Sequence, residues 1–242
     1  MVRKDGRSST ELRPVKLVMG VNKYAEGSCL IEQGNTRVIS TASVEDRVPP
    51  FLKDSNSGWV TAEYGMLPRA TTTRTQRPSA RTETPARSLE IQRLIGRSLR
   101  SVVDLESLGE RTVILDCDVL QADGGTRAAA ITAAFVALVQ AVEGLRKARV
   151  LRKPVAIVEQ VAAISVGVVL GYDLVDLTYA EDSQASVDMN VVMNSKGELA
   201  EVQATAEGVP FPRKRLDLLL DLADKAIVEI IAVQREALQR IA

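Results

Sequence analysis

Asp116-Cys117-Asp118-Val119-Leu120-Gln121-Ala122-Asp123-Gly124-Gly125-Thr126-Arg127 reads as a strand that halts at a glycine turn and restarts as a helix. From Arg111 to Leu120 apolar and polar residues alternate, as on a half-buried strand. From about Arg127 to Lys147 the chain is strongly apolar, with Ile131, Phe135, Leu138, Val139 and Val142 at helical spacing. The two glycines let the backbone approach a ligand closely, and Thr126 can cap the helix while offering its hydroxyl. Free N–H groups and the positive end of the dipole at such a helix start favour a phosphate-sized anion. Arg127 is a cation beside that positive end, which an anion held between them would reconcile. A tight turn with a capped helix accounts for the same residues. The Walker spacing is absent, so this is not an ordinary nucleotide-binding P-loop.

Upstream, Pro14 to Val21, Ser28 to Gln33 and Arg37 to Val44 read as a strand meander, with Gly34-Asn35 as a two-residue hairpin turn. Pro49 to Gly58 reads as a loop, Trp59 to Met66 as a short strand, and Pro68 to Thr84 as an Arg/Thr-rich loop. A helix is expected to open at Pro85, with Ile91, Leu94, Ile95, Leu99, Val102 and Val103 on one face. Arg93, Arg97 and Arg100 follow another face, which a solvated surface also explains. Downstream, Val155 to Leu170 reads as two strands and Leu174 to Tyr179 as another. Asp188 to Asn194 and Glu201 to Thr205 complete a second sheet, and a helix runs from near Leu216 to Ile241. The order strands, helix, strands, helix predicts an α+β (mixed α/β) domain with two similar halves, about 1–148 and 149–242.

Composition narrows the chemistry. The 242 residues contain no histidine, which removes Ser-His-Asp and Cys-His catalysis and every His-ligated metal site. Acid–base work then falls to carboxylates, Lys, Tyr or metal-bound water. Cys29 and Cys117 are too few for a disulfide framework and read as structural thiols in a reducing compartment. No signal peptide is visible. The apolar run from Val161 to Gly171 falls short of the roughly 20 residues of a membrane span, so the expectation is a cytoplasmic protein without a membrane partner.

Net charge is zero but unevenly spread. Met66 to Arg100 holds eight arginines (69, 74, 77, 81, 87, 93, 97, 100) against Glu83 and Glu90. Glu159 to Glu207 holds nine acidic residues against Lys196. That fits an anionic polymer together with a divalent cation, or equally two solvated faces that neutralise each other. With aromatics at 3%, nucleic-acid contact would rest on Arg and Lys rather than on stacking rings. An arginine-rich loop can also serve a subunit interface. In Glu181-Asp182-Ser183-Gln184-Ala185-Ser186-Val187-Asp188 the alternation starting at Val187 puts Asp188, Asn190 and Asn194 on a polar face, with Asp182 beyond a turn. Paired carboxylates of this kind suit Mg2+, and so does a plain polar turn leading into a strand.

Several longer motifs occur together and in order: Arg3-x-Asp5-Gly6-Arg7, Leu12-Arg13-Pro14, Ala62-Glu63-Tyr64-Gly65-Met66-Leu67-Pro68-Arg69-Ala70-Thr71, Glu90-Ile91-Gln92-Arg93-Leu94-Ile95-Gly96-Arg97, the stretch from Asp116 to Arg127, Glu181-Asp182-Ser183, Val187-Asp188-Met189-Asn190-Val191-Val192-Met193 and Glu201-Val202-Gln203. Over nearly its whole length the chain resembles RNase PH. The resemblance implies a duplicated β-α-β domain with mixed sheets packed on helices, and a homo-oligomer in the form of a hexameric ring built as a trimer of dimers. It implies phosphate-dependent 3′-to-5′ trimming of tRNA precursors and other structured RNA 3′ ends, reversible as a nucleotidyltransferase. It also implies inorganic phosphate bound by Arg87, Gly125, Thr126 and Arg127, with Asp182 and Asp188 as catalytic acids and Mg2+ ligands. Arg69, Arg74 and Arg77 would serve subunit contacts and RNA entry, and Arg93 and Arg97 on the helix would also meet RNA. Pro85-Ala86 stand where the family has glycines, and Thr72 where it has a histidine. The alternative within the same resemblance is a non-catalytic RNA-binding ring subunit of an exosome-like assembly.

Overall fold

The first half of the chain builds a sheet because its apolar residues recur every second position. In the computed structural model, which describes residues 3–77, 85–153 and 156–239, β1 (Val15–Met19), β2 (Gly27–Gln33) and β3 (Thr36–Glu45) form an antiparallel meander. Gln33 pairs with Thr36 across Gly34-Asn35, the expected two-residue hairpin. β5 (Thr112–Gln121) lies antiparallel to β3, and β4 (Trp59–Met66) lies parallel to β5, giving the order β1-β2-β3-β5-β4. A parallel pair needs a crossover, and helix α1 (Ala86–Arg100) with the single turn α2 (Leu105–Leu108) supplies it. A 3-10 turn, Pro50–Leu52, interrupts the loop before β4 and sets Phe51 edge-on to Trp59 at 5.4 Å.

The second sheet is antiparallel, in the order β7-β6-β8-β9, from β6 (Val161–Val169), β7 (Tyr172–Val175), β8 (Ala185–Asn194) and β9 (Leu199–Ala206). Helix α3 (Thr126–Lys147) packs against β2, β3 and β5 of the first sheet and against β6 of the second. Every residue from Ala128 to Leu138 is therefore buried, and the alanines let the sheets approach closely. Among the described residues α3 is the one helix long and apolar enough to cross a membrane, and its apolar side chains are covered by both sheets. Helix α5 (Arg213–Leu238) closes the far face of the second sheet, with Ile227, Ile230 and Ile231 in one core with Ile164, Val166 and Met189. The architecture is mixed α/β, as the sequence predicts.

Several boundaries differ from expectation for local reasons. Ala156 to Gln160 adds no second strand, because Asp104 donates its N–H to Ala156 O and Val158 donates to Val102 O, pinning this stretch to the end of α1. The strand expected from Leu174 to Tyr179 stops at Val175, since Asp176 takes φ +54 and Tyr179 opens the one-turn helix α4 (Tyr179–Asp182). Pro85 caps α1 rather than beginning it, and α5 starts at Arg213, three residues early, behind Pro212. The expected end of α5 at Ile241, the start of the Val155 strand and Arg81 of the arginine-rich stretch lie outside the described residues.

Candidate active site

Three buried arginines and one buried carboxylate build the site from behind. Asp176 is fully buried between the two sheets and accepts from Arg13 Nη2 at 2.6 Å, Arg13 Nε at 2.9 Å, Gln33 Nε2 at 2.8 Å and Arg7 Nη1 at 3.3 Å. Arg13 also hydrogen-bonds the Asp123 carbonyl and reaches Gly124 O at 3.4 Å. Thr36 Oγ1 donates to the same Gly124 carbonyl at 2.7 Å. Arg3, with its side chain wholly buried, makes a bidentate pair with Glu181 at 2.7 and 2.6 Å. Glu181 in turn accepts from the Thr178 N–H at 2.9 Å and so caps α4. One charge network thus fixes both the glycine turn before α3 and the short helix that carries Asp182.

The two pieces touch directly. A Cβ on Gly124, at φ +75, would stand 2.2 Å from Leu177 O, so only glycine lets the turn close against the segment leading into α4. Asp123 Oδ1 accepts from the Tyr179 N–H at 3.2 Å across the same junction.

In front of this junction opens a cleft of about 560 Å³. Arg87 from α1, Gly125, Thr126 and Arg127 from the start of α3, Asp182 from α4 and Asp188 from β8 all line it. Residues as far apart in sequence as Arg87 and Asp188 thus meet at one mouth, and the six assigned to phosphate and catalysis are all among its lining. Burial pushes the Asp188 carboxyl up to about 6; the charge of Asp182 adds to the shift, while Arg127 and Arg87 oppose it. Burial likewise raises Asp182 against the pull of Arg87 and Arg127. Glu207 lies in the same cleft and repels both carboxylates.

Two details differ from the sequence expectation. Gly125, at φ +65, occupies the cap position of α3, and Thr126 Oγ1 instead accepts from Tyr64 Oη at 2.9 Å. Arg127, at the positive end of the helix, already meets an anion of the chain itself. Its Nη1 contacts Glu90 Oε1 at 3.0 Å and also the Gln203 amide oxygen, while Gln203 Nε2 donates to Glu90 at 2.9 Å. Both contacts use Nη1 alone.

The arginines assigned to RNA do not line the cleft. Arg69, Arg74, Arg77, Arg93 and Arg97 are exposed, and Arg97 pairs with Glu201 at 3.0 Å. Thr71, from the same loop as Arg69, reaches the cleft wall. Arg100 is structural: its guanidinium stacks over Trp59 at 4.3 Å and donates to Val60 O. Sequence reasoning gave no role to Ser165, Tyr179 or Glu207 in the cleft wall, nor to Tyr64 behind Thr126. Of these, Ser165 carried a signal, as a hydroxyl inside an otherwise apolar strand.

Comparison with known families decides the kinship. Residues 11–142 match the model of the 3′ exoribonuclease family, domain 1, and residues 159–226 match domain 2 of the same family. The chain belongs to the RNase PH family. Its fold recurs in solved RNase PH-like structures. The crystal structure of rice (Oryza sativa) Rrp46 superposes with a TM-score of 0.80 at 19% identity, covering 98% of this chain and 100% of the other. A chain of the Archaeoglobus fulgidus exosome, solved with RNA bound to the active site, gives 0.78 at 22% identity, over 95% and 91%. An archaeal exosome core gives 0.75 at 22%, over 96% and 91%. Within the RNase PH family, the glycine turn, Arg127 and the Asp182–Asp188 stretch of this chain are the parts that converge on its cleft.

Proposed function

We propose that this chain is a phosphate-dependent 3′-to-5′ exoribonuclease that trims tRNA precursors and other structured RNA 3′ ends. The observation that carries the reading is one cleft lined by two arginines, a helix N-terminus and two carboxylates. Inorganic phosphate would sit on Arg87, Thr126, Arg127 and the free N–H groups at the start of α3. One of its oxygens attacks the phosphorus of the last phosphodiester. The new P–O bond forms as the bond to the 3′ oxygen of the preceding nucleotide breaks. Asp188 helps to protonate that departing oxygen. The products are a nucleoside 5′-diphosphate and an RNA one nucleotide shorter, and the balance of bonds makes the reaction reversible.

The donor set fits a divalent cation. Asp182 and Asp188 offer oxygen alone, the charge of Asp182 disfavours that of Asp188, and among the described residues no group of three such ligands closes a cage, which suits an ion that keeps its waters. Mg2+ held by these two carboxylates would stabilise charge on the transferring phosphoryl group. RNA would enter past Arg69, Arg74 and Arg77, with Arg93 and Arg97 alongside. We read residues 1–148 and 149–242 as two similar halves of one domain, and the homo-oligomer as a hexameric ring, a trimer of dimers.

The likeness to exosome chains favours a second reading, a non-catalytic RNA-binding ring subunit. Retention of Arg87, Arg127, Asp182 and Asp188 speaks for catalysis. Incubation of a 3′-extended tRNA with Mg2+, with and without inorganic phosphate, separates the two. Nucleoside diphosphates released only with phosphate are the expected result. RNA binding without release would favour the scaffold, and monophosphates regardless of phosphate would point to a hydrolase.

A further inference from the structure

Ser165 lies at the middle of β6, and the pairing of that strand divides its side chains between two cores. Ala162, Ile164, Val166 and Val168 belong to the core under α5, whereas Val161 and Ala163 belong to the core around α3. Alternation therefore turns Ser165 toward α3. Its relative exposure is 4%, and its Oγ is buried with no hydrogen-bond partner among the described residues. A buried hydroxyl without a partner is costly, and native proteins rarely keep one without a reason.

The orphan hydroxyl faces the anion-favouring end of α3. Ser165 lines the same cleft as Gly124, Gly125, Thr126 and Arg127. A Cβ added to Gly125 would stand 3.6 Å from Ser165 Oγ, so the absence of that carbon keeps the hydroxyl open to the turn. Asn190, its cross-strand partner on β8, lines the cleft too. The backbone of Ser165 is held in place, its carbonyl accepting from the Asp176 N–H at 2.7 Å. The hydroxyl is thus a fixed donor on the buried wall, across from the α3 N-terminus.

We infer that Ser165 is a further phosphate-binding residue, whose hydroxyl donates to an oxygen of the phosphate seated at the start of α3. This rests on the reading that the cleft takes inorganic phosphate. The bond would satisfy the orphaned Oγ only in the bound state, and so would contribute to affinity rather than to stability of the free protein. It would also fix one phosphate oxygen from the second sheet, while Thr126 and Arg127 hold others from the first half of the chain.

Ser165→Ala separates a binding role from a packing role, because it removes the hydroxyl and little volume. Titration calorimetry with inorganic phosphate, without RNA, is the measurement, with the melting temperature of each free protein recorded beside it. A hydrogen bond to a charged group predicts a phosphate Kd raised about tenfold or more. The free variant should melt at the same temperature as the wild type or higher. Equal Kd values in the two proteins would overturn the inference and leave the phosphate reading standing. A weaker Kd accompanied by a lower melting temperature would assign Ser165 to packing and overturn it as well. If the wild type binds no phosphate, the reading of the cleft itself fails, and the inference with it.

Discussion

Tyr64 Oη donates a hydrogen bond to Thr126 Oγ1 across 2.9 Å, joining the core of β4 to the first residue of α3. Since Thr126 accepts this bond, its own hydroxyl proton remains available for a second acceptor at the start of α3. Burial holds the Tyr64 phenol above its ordinary pKa, which favours the protonated, donating form. Tyr64→Phe should raise the phosphate KM several-fold with kcat little changed. It should lower the melting temperature by roughly 2–4 °C, the cost of one buried hydrogen bond in a chain of this size. Steady-state kinetics at varied phosphate checks the first, and a thermal melt the second.

Arg127 is held through Nη1 by Glu90 and Gln203, and among the described residues Nη2 and Nε make no hydrogen bond and can take an anion. Arg127→Ala should raise the phosphate KM at least tenfold while RNA affinity is retained. Glu90→Gln keeps a hydrogen-bond acceptor and should give a smaller rise. RNA affinity is read by filter binding, and an equal loss of RNA binding in both variants would contradict the role given to Arg127.

Asp188 ties pH to stability with a definite sign. Its carboxyl sits near 6 in the folded chain against an ordinary 3.8, so between these values the folded state keeps a proton that the unfolded chain has released. Its contribution to stability therefore falls as pH rises from about 4 to 6 and levels off above. Asp188→Asn should melt close to the wild type at pH 4 and above it at pH 7, in metal-free buffer. The same variant should slow turnover while binding RNA as before. A melting-temperature difference that is flat with pH would show that Asp188 is not the perturbed acid.

Asp176 is a counter-charge of two buried arginines, and removing it strands Arg13 while Arg7 keeps Asp5 and Glu181. Asp176→Ala should cost on the order of 3–5 kcal/mol, the range for breaking a buried pair. Because the same network holds the Gly124 turn and, through Arg3 and Glu181, the cap of α4, phosphate affinity should fall with it. Denaturant unfolding of the two proteins measures the first effect.

The strands and long helices were legible because their signals are local. Alternation from Ser28 to Val44 with Gly34-Asn35 between, and helical spacing from Ile91 to Leu99, each depend on residues a few positions apart. The glycine turn before α3 and the carboxylates near 182 and 188 were visible for the same reason. Local signals misled where a distant partner overrode them. The strand expected through Tyr179 ends at Val175, and Arg13, 163 residues from Asp176, draws the next carboxylate into the core. Thr126 gives up the cap to Gly125 and meets Tyr64, 62 residues away.

What the sequence alone determined about this protein is its element order, its mixed α/β class, and its kinship with RNase PH through motifs read in order. What only the tertiary structure decided is which of those motifs share a cleft. Arg87, Thr126, Asp182 and Asp188 meet because α3 packs between two sheets and the Arg3, Arg7 and Arg13 charges close the seam. The unpartnered Ser165 hydroxyl and the pKa of Asp188 belong to that packing too. Burial is a property of what surrounds a residue in space, and periodicity along the chain shows only which face a residue takes.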